Sequence, residues 1–186
     1  MKADTRGLVA CLVLAASVAV AREPSRLAPE SAPSSGDVAP ASEPGERLEV
    51  KGVVYAADGR TPVPRASVYV YQTDSKGLYR PDDPLGNRNP RLMALLRTDS
   101  AGRYSYRTIR PASYPGTNVP QHIHYEVAAP GHGTRIFEIV FDQDPLVTAE
   151  IRRRAAQAES IYSVRRIEKG ADGIGQVTQD VVLGRP

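Results

Sequence analysis

From Leu48 the chain alternates, with Leu48, Val50, Gly52 and Val54 on one side and Glu49, Lys51, Val53 and Tyr55 on the other. A period of two belongs to a half-buried β-strand, because successive side chains point to opposite faces. Ala57-Asp58-Gly59-Arg60 supplies turn chemistry, and Pro62 and Pro64 keep the chain extended. Ala66 to Thr73 (ASVYVYQT), rich in β-branched and aromatic residues, predicts a second strand. Pro81 to Pro90 (PDDPLGNRNP) is crowded with breakers and predicts a long surface loop of the kind that carries function. Leu92 to Arg97 leads towards a predicted hairpin, in which Asp99 and Gly102 mark a tight turn and Tyr104 and Tyr106 share one face of the next strand. Strands predicted at His122 to Ala129 and Thr134 to Phe141 flank Pro130-Gly131-His132-Gly133, a turn whose glycines permit positive φ. Pro145 to Ser160 has a helical pattern, with apolar side chains at Leu146, Ala149, Ile151 and Ala155. A final strand is expected near Gln176 to Leu183.

About seven short strands and one short late helix predict an all-β domain over residues 47–186. The expected architecture is an antiparallel β-sandwich of the prealbumin or immunoglobulin type, with loops at one end able to converge on a site. Residues 22–46 hold Pro, Ser, Ala and Glu and hardly any large apolar side chain, which predicts a disordered tether. Ahead of it, Lys2 and Arg6 precede a charge-free run from Leu8 to Ala21 that ends on Ala19-Val20-Ala21. Residues 1–21 therefore read as a cleaved signal peptide, and the run is shorter than the roughly 20 residues that cross a bilayer. The expectation is a periplasmic or secreted protein with no transmembrane segment in the mature chain.

Cys11, the only cysteine, lies inside that signal, so the mature chain would have neither disulfide nor thiolate site. Leu8-Val9-Ala10-Cys11 superficially matches a lipoprotein box, but the apolar run continues past Cys11. The formal net charge is only +3, and Arg152-Arg153-Arg154 would fan around a helix, which argues against nucleic-acid binding. Any metal must be held by His, Tyr or carboxylate.

His122-Ile123-His124 is the central motif, because a strand sends both imidazoles to one face and Ile123 to the other. Such pairs also occur on ordinary strands, so further ligands are needed. Apart from His132 there is no other histidine, and Glu126 shares the face of the pair. Phenolates remain as donors, and because tyrosine normally loses its proton near pH 10 they suit a hard, highly charged cation such as Fe(III). Taken singly, Tyr79 and Tyr114 more often mean packing at a sheet edge.

The pieces gain force together. Gly52-Val53-Val54, Pro64 to Val68, Tyr71 to Tyr79 (YQTDSKGLY), Thr98 to Tyr104, Thr108 to Pro115 (TIRPASYP) and His122-Ile123-His124 run in an order that resembles the intradiol ring-cleavage dioxygenases. The resemblance implies an Fe(III) site ligated by Tyr79, Tyr114, His122 and His124, with Tyr114 leaving the metal when a catechol-type substrate binds. It also implies cleavage of that substrate by O2 to a muconate-type diacid, with both oxygen atoms retained. Tyr104 and Tyr106 fall in a scaffold motif, and Gln72 and Asp74 are expected to set the loop before Tyr79. Val119 stands where the family usually has arginine, Glu138 where it has glutamine, and Tyr71 where it has tryptophan. Arg107, Arg110, Arg135 or His132 could supply the missing charge. With a short segment from Tyr114 to His122, these departures imply a more open pocket. Two other readings fit the strand pattern: a transthyretin-like binding module without iron, and an iron protein that binds catechols without cleaving them. The oligomeric state is left open.

Overall fold

The computed structural model describes residues 24–83 and 85–186, so the expected signal at residues 1–21 lies outside the described residues. In chain order the elements are β1 (Ser35–Asp37), β2 (Arg47–Tyr55), β3 (Ser67–Gln72), β4 (Leu92–Arg97), β5 (Arg103–Ile109), β6 (His122–Ala128), β7 (Arg135–Phe141), α1 (Ala149–Ala155), β8 (Tyr162–Arg165), β9 (Glu168–Lys169), β10 (Gly175–Thr178) and β11 (Val181–Val182). No helix among the described residues is long and apolar enough to cross a membrane.

The strands form two layers. One sheet has the order β1-β5-β2-β10-β9, with β11 also on β2, and the other β4-β3-β6-β7-β8. The alternation on β2 sends Leu48, Val50 and Val54 inward, where they meet Val68, Val70, Ile123, Phe137 and Ile139 of the second sheet in one buried cluster. Burying each such side chain stabilises the fold by roughly 1.5–3 kcal/mol. Polar bridges also cross the core: the Tyr106 and Tyr125 hydroxyls lie 2.6 Å apart, and Thr108 Oγ1 donates to Gln72 Oε1 at 2.8 Å.

Five expectations are corrected. Both sheets are mixed, because β1 runs parallel to β5, β10 and β11 parallel to β2, and β8 parallel to β7. These parallel strands arrive by connections too long to be hairpins. The tight turn at Asp99–Gly102 forms, with Gly102 N donating to Asp99 O at 3.0 Å, but it carries the chain from β4 in one sheet to β5 in the other. The helix is shorter than expected: Asp144 Oδ1 accepts from Leu146 N in a preceding turn, and Thr148 caps the helix by accepting from Ile151 N. The final strand is split at Gln179–Asp180, where Asp180 Oδ1 takes the Val53 N–H at 2.9 Å.

The expected tether is also ordered over its described part, residues 24–46. It runs along the edges of both sheets: Arg97 N donates to Pro33 O, Ser105 N to Ser34 O and Val38 N to Arg107 O, at 2.8–3.0 Å. Small side chains at Ala28, Ala32 and Ala39 are buried beneath it. Covering a sheet edge needs backbone hydrogen bonds more than large apolar groups, which is why composition alone points the wrong way here.

Candidate metal centre

Strand β6 builds half of the site. Ile123 is fully buried in the core, and the strand pleat directs His122 and His124 to the opposite, outer face. Each imidazole is oriented from behind. His122 Nδ1 lies 2.7 Å from Pro120 O, and a carbonyl can only accept, so Nδ1 carries the proton and Nε2 presents a lone pair. His124 Nδ1 lies 3.3 Å from Glu138 Oε1, contributed by its register partner on β7. The Tyr71 ring, from the partner position on β3, stacks on His124 at 4.4 Å. Carboxylates and carbonyls behind a histidine fix its tautomer and aim.

Two loops supply the other half. Asp74 Oδ1 accepts from the Lys76 and Leu78 N–H groups at 2.8 and 3.1 Å, folding the chain back so that Tyr79 points under β3 and β6. The two tyrosine loops are tied together: Thr73 Oγ1 donates to Ala112 O at 2.7 Å, and Ala112 N to Asp74 O at 3.0 Å. Gly77, at φ +82°, lies against the Ser113 carbonyl, so close that a β-carbon would collide with its oxygen. Asp74 thus sets the loop, as the sequence predicts, and Gln72 ties β3 to β5 by donating to Ile109 O at 2.9 Å.

All four predicted site residues converge. The Tyr79 and Tyr114 hydroxyls are 2.5 Å apart, Tyr79 Oη is 2.7 Å from His124 Nε2, Tyr114 Oη is 3.0 Å from His122 Nε2, and the two Nε2 atoms are 3.1 Å apart. With His122 Nδ1 protonated, at most three protons, two from the phenols and one if His124 carries its own on Nε2, can serve these four contacts. At least one contact would then oppose lone pairs, whereas one cation bound by all four donors relieves it. Ligands held about 2.0–2.1 Å from a single ion lie roughly 3 Å from each other, which is the spacing seen.

Electrostatics favour uncharged protein groups around that point. Burial, then the hydrogen bond that Tyr79 donates to Tyr114, pushes the Tyr79 phenol far above its usual range; burial also raises Tyr114, opposed by accepting that same bond. His124 is pushed down to about 3 by burial and by neighbouring His122, so its lone pair is available at neutral pH. Burial raises Glu138, with His122 acting in the opposite sense. His122, His124 and Glu138 form a group able to hold a metal ion. Since Glu138 addresses Nδ1 of His124 while Nε2 faces the phenols, its place is behind the ligand.

The reserve candidates lie elsewhere. Arg107 is 3.9 Å from Asp37 on the exposed face of β5, and Arg135 donates to Ser160 O and covers the Phe137 ring. Arg110 is bound to Gln121 Oε1 and lies 3.6 Å from Glu46. His132 sits in the β6–β7 turn, and Val119 is 37% exposed. Tyr104 and Tyr106 belong to the core, as expected. Sequence reasoning gave Glu138 no structural place, although pairing β6 and β7 across their short turn puts it opposite His124. It also missed a cavity of about 340 Å³ beside His124 and Glu138.

Comparison with known proteins places the chain in a family. A family model described as "Dioxygenase" matches residues 28–185. The catechol 1,2-dioxygenase of Acinetobacter baylyi is 33% identical over 118 residues, covering 54% of this chain and 38% of that protein. The protocatechuate 3,4-dioxygenase beta chain of Burkholderia cepacia is 34% identical over 116 residues, covering 55% of this chain and 48% of that protein. The chain thus spans less than half the length of these two curated relatives. The dioxygenase domain of a dioxygenase and carbohydrate-binding protein fusion from Streptomyces sp. SirexAA-E shares the fold at TM-score 0.62 and 23% identity, over 90% of this chain and 98% of that one. Since the family model runs across nearly all of the described fold, the chain belongs to the dioxygenase family, in the branch of the intradiol catechol and protocatechuate enzymes.

Proposed function

We propose that this protein is a non-haem Fe(III) intradiol dioxygenase that cleaves a catechol-type diol with O2 to a muconate-type diacid. The observation that carries this is the convergence of two phenol oxygens and two imidazole nitrogens within 2.5–3.1 Å of one another. The proposed ligands are Tyr79, Tyr114, His122 and His124. Phenols raised by burial become phenolates only beside a hard, highly charged cation, which favours Fe(III) over divalent ions. When bound, ferric iron supplies Lewis-acid activation of a chelated diol towards O2 and a template for the reaction.

The protein's own part follows from its geometry. Pro120 and Glu138 hold the imidazoles in place, and Tyr71 keeps water from one face of His124. Tyr79, 1% exposed and in contact with both Tyr114 and His124, is the fixed phenol. Both tyrosines sit on loops and each contacts two other donors, but Tyr114 is only partly buried, so it is the donor able to turn aside and accept a proton from an incoming diol hydroxyl. The overall reaction balances without a reductant, because both atoms of O2 end in the diacid.

Metal analysis, visible absorption and oxygen uptake on one purified sample test the reading. Expected are one iron per chain, a tyrosinate-to-iron charge-transfer band, and one O2 consumed per diol. A protein that stays colourless after incubation with ferric iron refutes it. Export is a separate proposal resting on residues 1–21, tested by whether the mature protein begins near Arg22.

A further inference from the structure

We infer that the Glu43–Arg91 ion pair is a positioning device for the metal centre, through which the chain segment ahead of β2 fixes the loop that delivers the Tyr79 phenol. The inference rests on the dioxygenase reading and adds two residues that act through a ligand rather than as ligands.

Arg91 follows Pro90 at the end of the breaker-rich loop and precedes β4. Its backbone N–H donates to Tyr79 O at 3.1 Å, so the loop closes on the ligand residue itself. Its guanidinium reaches the turn on the other side of Tyr79: Nη2 lies 3.5 Å from Asp74 Oδ2, while Asp74 Oδ1 accepts from the Lys76 and Leu78 N–H groups. One residue thus brackets Tyr79 in sequence, and a bracket is only as firm as its own anchor. Glu43 is that anchor, accepting from Nη1 and Nη2 at 2.5 and 2.8 Å. A two-pronged contact of this kind fixes orientation as well as distance. The Glu43 side chain is only 8% exposed, which sets the pair apart from surface ion pairs of small net worth. The neighbouring Arg80–Asp82 pair is of that second kind, at 36% and 68% exposure and confined to one loop.

Glu43 is itself seated. Its N–H donates to Pro40 O at 3.0 Å, Arg47 Nη1 donates to the same carbonyl at 3.1 Å, and Arg110 N donates to Glu46 O at 2.8 Å. The arm ahead of β2 has other ties: Ser25 N and Oγ donate to Glu126 at 2.6 and 2.9 Å, and Arg97, at the far end of β4, lies 2.6 Å from Glu30. Those hold the arm on the sheets, whereas the Glu43 tie bears on the residue whose backbone holds Tyr79. Partners that orient a metal ligand from behind typically contribute about 10- to 100-fold to metal affinity or activity.

Four variants of the full chain test this: Glu43→Gln, Arg91→Met, the two combined, and Glu30→Gln as the control that loosens the arm at the other end of β4. Hydrogen exchange over residues 74–80 is measured on the metal-free chain. Ferric affinity against nitrilotriacetate, the charge-transfer band, and kcat and KM for catechol are measured on the loaded one. Each single variant should exchange several-fold faster over residues 74–80, bind iron about tenfold more weakly, shift the band, and lose about tenfold in kcat with KM little changed. The combined variant should lose no more than the worse single one, because one contact is removed in all three. Glu30→Gln should leave every readout unchanged. Single variants that match the unmodified protein overturn the inference, as do losses that multiply in the combined variant or a control that moves the band equally. An unmodified chain with no charge-transfer band strikes instead at the iron reading, while hydrogen exchange still decides whether the pair holds the loop.

Discussion

Replacing Gly77 by alanine tests whether the two tyrosine loops must touch for the site to exist. Gly77 is at φ +82°, a left-handed conformation that costs a residue with a β-carbon about 1–2 kcal/mol. The added carbon would also collide with the Ser113 carbonyl oxygen and lie 3.1 Å from Pro115 Cδ, so the loops must part. Parting them weakens the bonds from Thr73 Oγ1 to Ala112 O and from Ala112 N to Asp74 O, each worth about 1 kcal/mol. The expected loss is about 3 kcal/mol, or a fall in Tm of roughly 6–12 °C for a domain of this size. Gly59 supplies the control: it is at φ +66° with nothing within 4 Å of an added β-carbon, so Gly59→Ala meets only the conformational cost, roughly 2–8 °C, and leaves the iron content unchanged. Thermal unfolding by circular dichroism measures both, and iron content with the charge-transfer band reports the site. Similar falls in Tm for the two variants, with iron fully retained in Gly77→Ala, would refute the reasoning.

Tyr79→Phe should lose stoichiometric iron, because its phenol is 1% exposed and packed against Tyr71, while Tyr114→Phe, at the more exposed position, should keep iron with an altered band and lose turnover by about 10²-fold or more. Metal analysis and oxygen uptake separate the two, and reversed outcomes would contradict the assigned roles. Tyr106→Phe or Tyr125→Phe alone should cost about 1–3 kcal/mol by stranding a buried hydroxyl, and the double variant less than the sum of the two, as read by denaturant unfolding. Asp58 is held down at about 2, first by the Thr61 hydroxyl and then by the Thr61 and Arg60 N–H groups. Its folded value lies below the ordinary 3.8, so its contribution to stability is present above that value and disappears as pH falls through about 2. Carboxyl NMR should place the midpoint there, and Thr61→Val should raise it.

What was legible in the sequence is what depends on local periodicity. The alternation from Leu48 gives β2, and the spacing of His122 and His124 places both imidazoles on one face without knowledge of any partner strand. Tyr79 and Tyr114 were legible only through an ordered set of motifs, since neither loop shows from its own residues what it will meet. The turn at Asp99–Gly102 is written in local chemistry, yet which sheet receives β5 is decided by pairing with β2, a segment some fifty residues earlier. Residues 24–46 were misread because their order comes from main-chain bonds to sheet edges, to which hydrophobicity is blind. The helix was over-extended because Asp144 and Thr148 spend their side chains on a turn and a cap where apolar spacing suggests continuity.

Ser25 anchors the incoming chain to Glu126 at the rim of the cavity beside His124. Those two residues are 101 positions apart, so a cut just after Ser25 would leave the buried Glu126 carboxylate without the donors that satisfy it, with both sheets otherwise whole. Trimming the chain to a tidier start is therefore best stopped ahead of Ser25.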